Sequence, residues 1–244
     1  VIENVSTNPR RTLRNDVLRE HAIVLAVVLV CATVLQRALL LGEIFVAKVF
    51  VAAVVGGTLT ALLAMRHLSA DAFGAANRVT LMRGAMLAML VACVGEATAA
   101  WLVVVVAGTT IALDGVDGWL ARRNGTASAF GARFDMETDA LSLLVLTVLV
   151  WQLGKAGTWV LGAGLLRYAF VSVAVLVPRF DRPLPERLRR KAAFVIAFIL
   201  LIVAAAPIVA PPFGRALAAA ALALLVASFA IDSIYLARRS DLSA

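Results

Sequence analysis

The feature that most restricts this chain is a series of blocks of about twenty consecutive apolar residues, set apart by short polar breaks. A bilayer core about 30 Å thick takes roughly 20 residues of helix, and the helix bonds every backbone group within the segment. Stretches of that kind run approximately over 22–41, 44–65, 79–95, 98–121, 133–153, 157–178, 191–211 and 215–237. With 62% hydrophobic and only 16% charged residues, the chain reads as an all-α integral membrane protein.

The polar residues before the first block include Arg10, Arg11, Arg14 and Arg19, and that block is long for a signal h-region, so the first helix is expected to be retained. Cys31 and Cys93 both lie inside apolar blocks without a closely spaced partner, which argues against a thiolate metal site or a disulfide framework.

A net charge of +8 raises the question of nucleic acid, but the basic residues are sorted by side as the positive-inside rule requires. With the N-terminus in the cytoplasm, one side holds Arg10, Arg11, Arg14, Arg19, Arg66, Arg78, Arg83, Arg122, Arg123, Arg133 and Arg179. The clusters 182–191 and 238–239 fall on the same side, against only Arg37, Lys155 and Arg215 opposite. The expected partner is a membrane, not nucleic acid, and the expected location is the bacterial inner membrane.

Residues 1–21 form a basic N-terminal segment, of which 9–20 is compatible either with a helix along the lipid surface or with a solvated tail. The polar break 66–77 separates two leading blocks (22–65) from the remaining six (66–244). The outer turns near 95–98, 154–157 and 211–214 are very short. The longest loop, 179–190, lies on the basic side, where Pro183 and Pro185 disfavour a continuous helix.

Four aspartates stand where a membrane protein should have none: Asp114 and Asp117 in IALDGVDGWLARR, and Asp135 and Asp139 in GARFDMETDALSLLV. Each costs on the order of 2–3 kcal/mol in a membrane helix, so a functional role is the first hypothesis. At about 100° per residue, each pair shares a helix face, and the short cytoplasmic connection lets the two faces meet. Converging carboxylates need cations, and an all-oxygen set suits two Mg²⁺ or Mn²⁺ ions, which fits diphosphate chemistry. Gly118 would let a flat base or a diphosphate approach the backbone, Arg122 one turn later can meet a phosphate oxygen, and Gly131 permits close contact at the start of the next helix.

Residues 114–139, DGVDGWLARRNGTASAFGARFDMETD, resemble the signature of the CDP-alcohol phosphotransferases, Asp-x2-Asp-Gly-x2-Ala-Arg-x8-Gly-x3-Asp-x3-Asp. All fixed positions are met, by Asp114, Asp117, Gly118, Ala121, Arg122, Gly131, Asp135 and Asp139. The resemblance implies a six-helix transmembrane core preceded here by two additional N-terminal helices, a homodimer, and a site open to the cytoplasmic leaflet. It implies that Asp114, Asp117, Asp135 and Asp139 hold the two metals and that Asp139 is the catalytic base. It places Gly118, Ala121, Arg122, Ser128 and Gly131 at the CDP moiety. Asn77, Thr80 and Arg83 look like the family's Asn-x-x-Thr-x-x-Arg opening of the first core helix, which also touches the nucleotide.

The implied reaction is attack of a small alcohol on the β-phosphorus of a CDP-alcohol such as CDP-diacylglycerol, with release of CMP, as in phospholipid biosynthesis. Arg167, Arg187, Arg190 and Lys191 are candidates for binding the phosphate of an acceptor such as glycerol phosphate or inositol phosphate. A cation-coupled transporter or channel would need polar residues along the outer halves of the spans, which are almost purely Ala, Val and Leu. A family member without activity is disfavoured by the intact metal positions.

Overall fold

The computed structural model describes residues 9–67, 74–124, 129–176 and 188–241, with the side chains of 116–124 among those outside that description. The described residues contain eight α-helices and no strand, one helix for each apolar block. They are α1 (Pro9–Ala38), α2 (Phe45–His67), α3 (Ala75–Ala92), α4 (Ala100–Asn124), α5 (Ala129–Gln152), α6 (Leu161–Leu176), α7 (Leu188–Ala205) and α8 (Pro211–Asp241). Among the described residues, four segments are long and apolar enough to cross a membrane: Thr12–Ala38, Phe45–Arg66, Ala97–Gly115 and Pro211–Tyr235. Helices α3, α5 and α7 carry charged residues within their first two turns, among them Arg78, Asp135 and Arg190, which interrupts the apolar run.

Prolines stand where helices begin, Pro9 opening α1 and Pro211 opening α8, where a missing N–H costs nothing. Helix α5 closes with Gly154 at φ 69°, the Gly154 N–H reaching the Trp151 carbonyl at 2.9 Å and the Lys155 N–H the Val150 carbonyl at 3.1 Å. That paired capping pattern needs a left-handed residue, which glycine supplies without strain. Residues 9–20 are not a solvated tail. They form the first turns of α1, continuous with the apolar run, and Leu13 and Val17 are buried.

The chain divides into two compact units. The first comprises residues 1–99 and 109–139. In it α1, α2 and α3 pack against one another. Leu13 and Val17 of α1, Ala61 and Ala64 of α2, Leu81 of α3 and Phe130 of α5 form one buried cluster, with Val24 and Phe134 packed against it. The alanines let the helix backbones approach, as packing in lipid favours. Where the chain turns from α3 toward α4, Lys48 of α2 donates to the Val94 carbonyl at 2.9 Å and to Glu96 Oε1 at 3.0 Å. Glu96 Oε2 in turn accepts the Gly42 N–H at 2.8 Å. The charge at Lys48, unexplained by hydropathy, is thereby satisfied at a helix end.

The second unit comprises residues 100–108 and 140–244, with α6 and α7 both packed on α8. Lys155 donates to the carbonyls of Ala206 and Val209 just past the end of α7, the same use of a lysine on spare carbonyls. Arg189 of α7 donates to Ser228 Oγ at 3.1 Å and to Asp232 Oδ1 at 2.5 Å on α8. Gly164 of α6 lies against Leu144 so closely that a Cβ would come within 2.6 Å of the Leu144 Cα. Large apolar side chains such as Val27, Val30 and Val34 on α1 and Val51, Val55 and Leu59 on α2 face outward, an arrangement suited to lipid.

Candidate active site

Helix α3 carries Asn77, Thr80 and Arg83 at intervals of three, so they share one broad face. All three are buried, Arg83 being only 1% exposed. On α5, Gly131, Asp135 and Asp139 recur every four residues and form a narrow stripe. Phe130 and Phe134, stacked with ring centroids 5.8 Å apart, occupy a different face and anchor the start of α5 in the apolar cluster. The consequence is a helix fixed by one face and presenting carboxylates from another.

The structure brings Asp114 of α4 together with Asp135 and Asp139 of α5: each offers a carboxylate oxygen, and the three lie within 4.8 Å of one another. Asp114 therefore meets the face of α5 that carries Asp135 and Asp139. The Arg83 guanidinium stands among them, with Nη1 bonded to Asp135 and 3.5 Å from Asp114 Oδ1, and Nη2 bonded to Asp139. Arg83 is thus a partner of the carboxylates as well as a candidate nucleotide contact, a role the sequence reading missed. Its signal was an arginine inside an apolar block, one turn beyond Thr80.

Three carboxylates this close repel one another unless positive charge lies between them, and here a guanidinium supplies it. The cluster's donors are all oxygens, the set preferred by hard divalent cations. The residues present therefore fit Mg²⁺ or Mn²⁺, and they match no thiolate or imidazole site. Asp117, Gly118, Ala121 and Arg122 lie on the described backbone of α4, one turn or more beyond Asp114, but their side chains lie outside the described residues. Ser128 also lies outside the described residues.

Of the candidate acceptor residues, Arg167 is half-buried on α6, Arg190 is half-buried at the start of α7, and Lys191 is exposed beside it. All belong to the second unit, and Arg187 lies outside the described residues. Arg190 Nε is 3.8 Å from Asp232 Oδ2. Asp232, which the sequence reading did not single out, is buried on α8 and receives Arg189. Its signal was an acid inside the apolar stretch 216–237 of α8, with Ser228 one turn before it.

No curated protein and no solved structure matches the chain. The family model for CDP-alcohol phosphatidyltransferase, by contrast, matches residues 73–231, which include α3, α4, α5 and the whole aspartate cluster. On that match, and with carboxylates from α4 and α5 converging on Arg83 in a chain of membrane-spanning helices, the protein belongs to the CDP-alcohol phosphatidyltransferase family.

Proposed function

We propose that this chain transfers a phosphatidyl group from CDP-diacylglycerol, or a closely related CDP-alcohol, to a small polar alcohol and releases CMP. The observation that carries the reading is the convergence of Asp114, Asp135 and Asp139 around Arg83. Asp114, Asp117, Asp135 and Asp139 would hold two divalent cations, which supply Lewis-acid polarisation of the phosphorus and neutralise the charge of the departing phosphate.

The chain's own residues do the rest. Asn77, Thr80 and Arg83 bind the nucleotide end from α3, and Gly118, Ala121, Arg122, Ser128 and Gly131 complete its site. Arg122 meets a phosphate oxygen. Asp139 receives the proton of the acceptor hydroxyl as its oxygen attacks the β-phosphorus, and the phosphoanhydride bond to CMP breaks. Residues 66–244 form a six-helix catalytic core, to which 22–65 adds two transmembrane helices, with 1–21 as the basic leading segment. The enzyme works as a homodimer in the bacterial inner membrane, with its site on the cytoplasmic side and a role in phospholipid synthesis.

The acceptor carries a phosphate, as glycerol phosphate or inositol phosphate does, held by Arg167, Arg187, Arg190 and Lys191. Arg189 is engaged by Ser228 and Asp232, which supports a structural place for it beside these candidates.

The test is to reconstitute the protein with CDP-diacylglycerol and Mg²⁺ and follow CMP release with glycerol phosphate, inositol phosphate, serine and choline. Release with a phosphorylated acceptor is expected. Asp139→Asn is expected to abolish turnover while retaining CDP-lipid binding; wild-type-like activity in that variant, or no release with any acceptor, would overturn the reading.

A further inference from the structure

Helix α1 has 30 residues, a rod about 45 Å long, although about 20 residues suffice to cross the hydrocarbon core. The surplus is at its N-terminal end, where Arg14, Asp16, Arg19 and Glu20 precede the apolar run. A charged helix end of this kind is ordinarily solvated. Here one face of it is buried, with Val17 fully enclosed and Leu13 nearly so, against Leu81 of α3 and Phe130 of α5. Beside that apolar contact, Asp16 Oδ1 lies 3.5 Å and Glu20 Oε1 3.2 Å from the same Nη2 of Arg78 on α3. Four residues apart, the two carboxylates share a helix face and grip one guanidinium.

Each of these contacts lands beside a residue of the donor site. Arg78 directly follows Asn77, and Leu81 directly follows Thr80. Phe130 directly precedes Gly131, and Phe134, packed on the same cluster, directly precedes Asp135. Helices α3 and α5 are therefore fastened to each other twice, through Arg83 and the aspartates and, nearer their starts, through the N-terminal turns of α1.

We infer that the charged N-terminal turns of α1 are a positioning element for the donor site, with Asp16, Glu20, Leu13 and Val17 holding α3 and α5 in the register that donor binding requires. The inference rests on the transfer reading proposed above. Helix α1 precedes residues 73–231, so the device belongs to the part of this chain ahead of the family match. Partly exposed ion pairs add little to stability. Loss of the Arg78 pairs is therefore expected to show in donor binding more than in folding.

Three variants test it: the near-isosteric Asp16→Asn/Glu20→Gln, the charge reversal Arg78→Glu, and the triple Arg78→Glu/Asp16→Lys/Glu20→Lys, which restores opposite charges. In the first two, the KM for CDP-diacylglycerol is expected to rise about five- to ten-fold, inside the roughly 100-fold that a 1 Å misplacement can cost. The kcat and the acceptor KM stay near wild type, and the triple variant recovers the donor KM. Mn²⁺ affinity, followed by electron paramagnetic resonance without substrate, is expected to weaken in the same two variants and return in the triple.

Unchanged donor KM and Mn²⁺ affinity overturn the inference. So does a parallel loss of kcat, both KM values and thermal stability that the triple does not recover. A wild type that binds Mn²⁺ but releases no CMP sinks the transfer reading and leaves the Mn²⁺ series to decide the positioning role. A wild type that does neither overturns both.

Discussion

Glu96 accepts the Gly42 N–H and the Lys48 ammonium, and these bonds, the backbone one foremost, hold its carboxyl below the usual carboxylate range. A lowered folded-state value means that the ionised form stabilises the fold. The contribution is complete above the ordinary glutamate value of about 4.3 and is lost as the pH falls through the lower folded-state value. Thermal melts of wild type and Glu96→Gln in detergent are therefore expected to diverge at neutral pH, with wild type the more stable, and to converge in acid. A constant gap across that range would contradict the assignment. At this scale the aspartates were legible in the sequence, because charge in an apolar block is conspicuous and helical periodicity decides which charges share a face. The pairings were not. Arg83 meets acids 52 and 56 residues away, and Arg189 meets one 43 residues away, separations that no local rule connects.

Helices were legible as elements for the same reason, each apolar block returning as one helix, while their ends were less so. Hydropathy marks where a helix leaves lipid, whereas hydrogen bonding decides where it stops. Thus α1 begins at Pro9 instead of near residue 22, and α6 begins at Leu161 after a short 3₁₀ turn over Thr158–Val160. Close approach between helices was also hidden, since glycine is common in membrane helices for several reasons. Gly164 is the clearest case. An added methyl would lie 2.6 Å from the Leu144 Cα and 2.9 Å from Thr147 Oγ1, so α6 would have to move away from α5. Gly164→Ala is expected to destabilise the protein by about 1–3 kcal/mol, the usual cost of overpacking, read as a lower midpoint in denaturant. Gly162→Ala, whose methyl would meet only Leu222 Cδ1 at 3.7 Å, is the matched control and is expected to melt near wild type.

For the molecule as a whole, the cation site proposed at Asp114, Asp135 and Asp139 would link folding to cation binding. Saturating Mg²⁺ at about 100 times its dissociation constant should stabilise the native protein by about 2.7 kcal/mol. Removing the guanidinium with Arg83→Met leaves the carboxylates facing one another, a loss of about 3–5 kcal/mol expected in EDTA. Mg²⁺ should then restore more stability to the variant than it adds to wild type, since it supplies the missing charge. Melts with and without EDTA check this, and a metal-independent midpoint in both proteins would count against a cation site.

The two helices ahead of the matched region are clasped to it at both ends of α3: by Asp16 and Glu20 on Arg78, and by Lys48 and the Gly42 N–H on Glu96. Each clasp has one half on either side of residue 73, where the family match begins. In terms of descent, a lineage that shed α1 and α2 would leave a guanidinium at one end of α3 and a carboxylate beyond the other without these partners.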